Sequence, residues 1–340
     1  LTLVFMFPGQ SSRYPGMLDK LVELHPPNGE LLERSSDLLG RDLRAQYKIG
    51  GGGDMDMDRG DSPEGDGFAR NVDVQVGVFL ANHMFMTALE ARGIEAELSM
   101  GLSLGEWNHL VHIGALSFED ALRGVEQRGR CYDQGPRGWM AAIHPIDADS
   151  LREVVGRAGK YGVLEIVNLN SPRQHVVAGE RAAVEAAAAQ AEDEHYAEAH
   201  IIERNVPMHS SLFAPVGARF AEILRGLEFA APRRPYMPNR LARFVPAPSP
   251  ATFVELLSTH VHAPVLWRES LEHVVAAHPE AVFVEVGPMA VLHNLMHRKW
   301  LRNRKFRCDS RDDIHAHFEA TVAALSSLQA AEKQSVCTPS

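Results

Sequence analysis

Residues 99–106 read SMGLSLGE, and Gly101-Leu102-Ser103-Leu104-Gly105 fits the pattern G-x-S-x-G. Few local geometries accommodate it. The apolar residues from Ala96 to Met100 read as a short strand, and the following WNHLVHIGAL has helical apolar spacing. A strand that reverses sharply into a helix leaves no room for side chains where the chain doubles back, hence the flanking glycines. Ser103 then stands at a helix N-terminus, where backbone N–H groups and the macrodipole favour developing negative charge. The motif therefore predicts an α/β fold with a parallel sheet, a nucleophile elbow at its edge and Ser103 exposed to a reactant.

The rest of the chain extends this outline. A buried strand is expected over 2–7, then the loop PGQSSRYPG and helical stretches to about Arg44. Residues 50–67 are glycine-rich and acidic and are expected to form an exposed, mobile loop. VQVGVFLANHMFMTALEARG reads as a helix ending at Gly93. WMAAIHPI, a helix near 149–159, VLEIVNLN, RQHVVAG, a helix near 180–194 and AHIIERN follow the order β-α-β-β-α-β, which predicts an inserted ferredoxin-like subdomain over 136–204. The hydrolase-like core is then 1–135 with 205–300, crossed by a proline-rich connection over 232–250. Residues 301–340 read as a C-terminal helix and tail, the last twenty or so as an exposed helix with a frayed end.

Composition narrows the function classes. With 340 residues, 45% apolar and 23% charged, the chain can bury a large core. Its formal charge of −10 argues against nucleic acid as a partner. No uninterrupted apolar run reaches the ~18 residues of a membrane span, so no membrane is expected. Three scattered cysteines, Cys131, Cys308 and Cys337, suit a reducing cytoplasm.

A serine nucleophile needs a base, and the chain has seventeen histidines. His209, in NVPMHSS at the exit of the inserted unit, is a candidate by position. The segments FPGQSS, GLSLGE, VEQRGR, NLNSPRQHVVAG, VPMHSSLFAP, APVLW and EVGPMAVL together resemble, in order and spacing from about residue 3 to 300, the malonyl-CoA:acyl-carrier-protein transacylase family, which includes polyketide synthase acyltransferase domains. The resemblance implies that Ser103 becomes acylated and that His209 is its base. It implies a backbone carbonyl, at Leu266 in PVLW, as the group orienting His209. The N–H groups of Gln10 and Leu104 match the oxyanion hole. Arg128 matches the residue that grips the free carboxylate of a malonyl group, a task suited to its planar fork of donors. Gln75 and Asn168 match pocket positions. Two pocket residues depart from the family: Leu102 stands where it has histidine, and Met208, before the base, is an adaptable side chain.

The expected activity is thus ping-pong transfer of a malonyl-type group from CoA, through a serine ester, to the phosphopantetheine thiol of an acyl carrier protein, in polyketide or fatty-acid biosynthesis. A chain of this length is expected to act in trans. A hydrolase clearing acyl groups from carrier proteins is the alternative. No tightly bound cofactor is expected, the CoA thioester being substrate. No metal is expected either: Asp54, Asp56 and Asp58 lack the glycine and closing glutamate of a calcium loop, His293 and His297 lack the glutamate of H-E-x-x-H, and His260 and His262 lack a third ligand. Finally, the basic run 298–307 offers Arg302, Arg304 and Lys305 as a candidate surface for an acidic carrier protein.

Overall fold

The structure is a computed structural model that describes residues 1–48 and 67–336. Its larger sheet consists of β1 (Leu3–Phe7), β2 (Leu98–Gly101) and two strands from late in the chain. The small sheet intervenes in sequence: β3 (Trp139–His144), β4 (Leu164–Ser171), β5 (Gln174–Gly179) and β6 (Glu198–Glu203). The chain then returns with β7 (Val282–Glu285) and β8 (Lys305–Arg307).

The large sheet has the order β2-β1-β7-β8 and every pairing is parallel. Its central strands LVFMF and VFVE are buried at every position, as a parallel sheet covered on both faces requires. Parallel strands end together, so β1 and β2 deliver Phe7 and Gly101 side by side to one edge. That edge is where open α/β sheets place their ligand crevice. The helix Asn71–Glu90 packs in the core beside it. By length and composition this helix could cross a membrane, but 94% of its apolar stretch is buried inside the fold. Polar Asp73, Gln75, Asn82 and His83 interrupt its sequence, so no uninterrupted apolar run is visible there.

The small sheet has the order β4-β5-β3-β6, fully antiparallel, which is the ferredoxin-like arrangement. Strand alternation gives it two apolar faces. Ala141, Ile143 and Val177 pack on its own helices, Ala148–Ala158 and Arg181–His195. Met140, Ala142 and Val176 turn the other way and join the main core.

The expected boundary at residue 300 needs correction. Residues 305–307 form β8 of the large sheet, and Cys308 is fully buried. The helix Ile314–Val336 seats Ile314, Phe318, Val322 and Leu325 in the core, so its first half is a packed element, while residues 326–331 are exposed or half-buried. The proline-rich segment is likewise more than a connection, since Tyr236, Met237 and Asn239 are buried against the elbow. Cys131 and Cys308 are buried free thiols. Cys337 and the predicted acidic loop, with Asp54, Asp56 and Asp58, lie outside the described residues.

Candidate active site

Steric exclusion explains the serine turn. A Cβ on Gly101 would stand 2.0 Å from the Gly105 carbonyl group, and one on Gly105 would stand 2.0 Å from the Phe7 carbonyl oxygen. Both positions are therefore closed to any other residue. Ser103 itself is held at φ 51°, left-handed backbone that a serine adopts only when its surroundings fix it. Leu102 N–H donates to Phe7 O (2.9 Å), extending the strand register, and Glu106 N–H donates to Ser103 O (3.1 Å), starting the helix Gly105–His112. This is the predicted elbow.

His209 Nε2 lies 2.8 Å from Ser103 Oγ, and His209 Nδ1 lies 2.6 Å from the carbonyl oxygen of His260. A carbonyl can only accept, so Nδ1 carries the proton and Nε2 presents its lone pair to the serine hydroxyl. The backbone acceptor was expected at Leu266; it is His260. Leu266 O instead accepts from the N–H and hydroxyl of Ser270, and Leu266 N–H donates to Asn239 O. Its neighbour Val265 bridges to β4, tying the small sheet to the core. A main-chain acceptor leaves no side-chain signature, which is why sequence reasoning misplaced it. Burial is the first cause holding the His209 imidazolium well below its usual range, with the His260 ring and the Arg128 cation adding to it.

Arg128, on the helix Phe118–Asp133, is 2% exposed. Its Nη1 donates to Gln75 Oε1 (2.8 Å), its Nη2 to Ser103 Oγ (3.3 Å), and its guanidinium lies 4.5 Å from the Tyr132 ring centre. No carboxylate pairs with it among the described residues. Gln75, fully buried, braces Arg128.

The cavity at the serine has a volume of about 630 Å³ and lies between the two sheets. Of the predicted residues, Gln10, Leu102, Ser103, Asn168, Met208 and His209 line it. Met140, Ala142 and Val176 from the small sheet complete an apolar wall with Leu102 and Met208. The N–H groups of Gln10 and Leu104 have no intramolecular partner among the described residues, which leaves both free to bind an oxyanion.

Sequence reasoning missed Asn239. Its Oδ1 accepts from Ser103 N–H and its Nδ2 donates to Gly101 O. The candidate docking residues lie apart from the catalytic groups. Lys305 Nζ is engaged by the carbonyls of His293 and Met296. Arg304 O accepts from Phe283 N–H, near the start of β7, so Arg302 and Arg304 lie at the N-terminal edge of the sheet. Ser103 lies beyond the C-terminal edge, four residues of β1 away, roughly 13 Å along a strand. Among the described residues His293 and His297 share no ligand cluster. Among the described residues one group, exposed His144, Glu198 and His200, brings three ligand atoms within 4.8 Å of one another at the small sheet's edge.

An elbow serine, a histidine poised to take its proton and two free N–H donors define an α/β protein built for acyl transfer through serine. Residues 4–308 match the family described as Acyl transferase domain, and the chain belongs to it. It is an acyltransferase. The chain is 28% identical over 298 residues to the malonyl CoA-acyl carrier protein transacylase of Bacillus subtilis, covering 86% of this chain and 89% of that one. It is 31% identical over 298 residues to the enzyme of that name from Escherichia coli, covering 86% and 91%. It superposes with a TM-score of 0.82 at 27% identity on a malonyl-transacylase solved in complex with a type II PKS acyl-carrier protein, covering 95% of this chain and 100% of that one.

Proposed function

We propose that this chain transfers a malonyl-type acyl group from CoA to the phosphopantetheine thiol of an acyl carrier protein, in fatty-acid or polyketide biosynthesis. The observation that carries the substrate class is Arg128, a buried guanidinium aimed at Ser103 Oγ and in direct contact with no protein carboxylate among the described residues, Glu106 acting on it only at longer range. A cation taken out of water without a counter-ion is costly, and a substrate bearing a free carboxylate supplies one on binding.

The reaction follows from the atoms in place. Ser103 Oγ gives its proton to His209 Nε2 as it attacks the thioester carbon. The oxyanion accepts from the N–H groups of Gln10 and Leu104. Collapse breaks the C–S bond, and His209 returns the proton to the departing CoA thiolate. The carrier thiol then repeats the sequence in reverse, with His209 as base. The chemistry needs no tightly bound cofactor and no metal. Two buried free thiols, Cys131 and Cys308, suit reaction in the cytoplasm.

A hydrolase reading has no support from the relatives, whose names are those of transacylases. The test is intact-protein mass after mixing with malonyl-, methylmalonyl- or acetyl-CoA, with and without a phosphopantetheinylated carrier. Malonyl loading, lost in Ser103→Ala and passed to the carrier, is the expected result. Acetyl loading in preference to malonyl, or release of free acid in place of transfer, refutes it.

A further inference from the structure

Beside His209 lies a second buried histidine that the reaction above does not use. The His260 ring stacks on that of His209 with centres 4.7 Å apart and planes 25° apart. Its Nδ1 is 3.1 Å from Glu106 Oε2, and both side chains are within 3% of complete burial. Glu106 Oε1 accepts from the Tyr236 hydroxyl at 2.6 Å. His260 Nε2 has no partner among the described residues. A bare lone pair there is tolerable, whereas an unpaired N–H is more costly, so the single proton of the neutral ring belongs on Nδ1, donated to the carboxylate.

The surroundings explain why such a pair matters. Arg128 and Arg240 both act against positive charge on the two histidines, and His209 must nonetheless become imidazolium when Ser103 attacks. Tyr236, itself stacked on His109, is neutral, and Glu106 is the carboxylate that faces this cluster. His209 has no carboxylate of its own, only the His260 carbonyl. Whatever fixes His260 therefore fixes the base.

We propose that Glu106 and His260 are positioning residues for His209. Glu106 anchors the His260 ring through Nδ1, the anchored residue presents its ring face and its carbonyl to His209, and the Glu106 anion favours the imidazolium formed during acylation. The proposal rests on the serine-acylation reading, in which the proton moves from Ser103 Oγ to His209 Nε2 and then to the CoA thiolate.

The experiment measures single-turnover acylation by malonyl-CoA from pH 5 to 9, with quenching and mass detection, for wild type, Ser103→Ala, His260→Leu, His260→Asn and Glu106→Gln. His260→Leu keeps the carbonyl but removes the donor to Glu106; asparagine restores an N–H donor at the same reach. Expected for His260→Leu and Glu106→Gln is a 10- to 100-fold loss in the maximal acylation rate constant with half-saturation within twofold. Glu106→Gln also moves the acidic midpoint downward, and His260→Asn recovers to within about threefold of wild type. Rates within twofold of wild type with an unmoved midpoint, or His260→Asn as impaired as His260→Leu, overturn the proposal. If His260→Leu fails to fold, Glu106→Gln and His260→Asn decide the matter on the same criteria. Wild type no more acylated than Ser103→Ala refutes instead the serine reading on which this rests.

Discussion

Asn239 grips the turn that carries Ser103 although 136 residues separate them: its Oδ1 accepts the Ser103 N–H at 2.9 Å while its Nδ2 donates to the Gly101 carbonyl at 2.6 Å. One planar carboxamide thus satisfies a donor and an acceptor that β2 and the helix Gly105–His112 leave unpaired. Asn239→Ala strands both inside the protein, a loss of about 1–3 kcal/mol per buried group. Asn239→Asp keeps the acceptor but turns an anion toward a carbonyl. Both substitutions are expected to lower the melting temperature and slow Ser103 acylation at least tenfold. Unchanged acylation in Asn239→Ala means the elbow holds its left-handed backbone without this brace.

Arg128 separates binding energy from stability. Its charge is buried beside Gln75 and Tyr132 without a contacting carboxylate among the described residues, Glu106 acting on it only from beyond ion-pair distance. Arg128→Met is therefore expected to melt no lower than wild type, since an apolar side chain of similar reach removes a desolvated cation. The same substitution should cut kcat/KM for malonyl-CoA by about a hundredfold, as truncating one partner of a buried charge pair costs about 2–5 kcal/mol. Acetyl-CoA, lacking the carboxylate, should lose far less, so the ratio of the two substrates is the decisive measurement. An unchanged ratio removes Arg128 from substrate selection.

What was legible in the sequence follows from where the physics is local. The elbow is a steric pattern confined to five residues, and Gly101 and Gly105 are required by contacts of 2.0 Å, so the motif could be read directly. The β-α-β-β-α-β order was equally readable because each strand and helix declares itself by period. The histidines were not. His109, His112, His209 and His260 are all buried, and which one meets the serine is decided by contacts between distant segments. Position at the exit of the inserted unit made His209 a candidate, and resemblance to a family assigned it the role of base. The carbonyl of His260 and the carboxamide of Asn239 were invisible for related reasons: one is main chain, and the other sits in a stretch whose prolines read as a passive connection. For Arg302, Arg304 and Lys305 the sequence shows a basic run but not which edge of the sheet it occupies.

Burial controls the pH response of the base. Desolvation, with the neighbouring His260 and Arg128, holds the His209 imidazolium well below the ordinary 6.5. Only neutral His209 accepts the Ser103 proton, so kcat/KM for the acyl-CoA should stay level from pH 7.5 down to 6.5 and fall only at lower pH. A stopped-flow or quenched profile checks this. An acidic midpoint at or above 6.5 means that water reaches the imidazole in the working enzyme.

Carrier docking should be indifferent to the basic run near the end of the core. Arg302 and Arg304 are exposed, but they stand at the sheet edge opposite Ser103, and Lys305 is committed to the carbonyls that end the helix Val291–Leu295. Charge reversal by Arg302→Glu with Arg304→Glu is expected to leave the KM for the carrier protein within twofold of wild type at low ionic strength. A rise of fivefold or more, with acylation from CoA unchanged, restores these arginines as a docking surface.

Acid should weaken the fold through a hydrogen-bond chain between the strand that enters the elbow and the helix that leaves it. Met237 N–H donates to His109 Nε2 (3.0 Å), which fixes the His109 proton on Nδ1, facing Ser99 Oγ at 2.7 Å. The Ser99 hydroxyl then has its own proton to give to His112 Nδ1 at 2.8 Å. The bonds accepted by His109 Nε2 and His112 Nδ1 each require a neutral imidazole, and burial holds both histidines down to about 3. A lowered folded-state pKa means stability is intact above the unfolded value of 6.5 and is lost as pH falls toward about 3. Each histidine then contributes a slope of up to about 1.4 kcal/mol per pH unit across that window. His112→Phe places a ring beside Phe5 and Phe7, which already pack there, and removes one titration. Urea unfolding at pH 7, 6 and 5 should show that variant losing less stability per pH unit than wild type. Equal slopes would mean His112 ionises as readily folded as unfolded, which is incompatible with a proton-donating Ser99 hydroxyl at its ring.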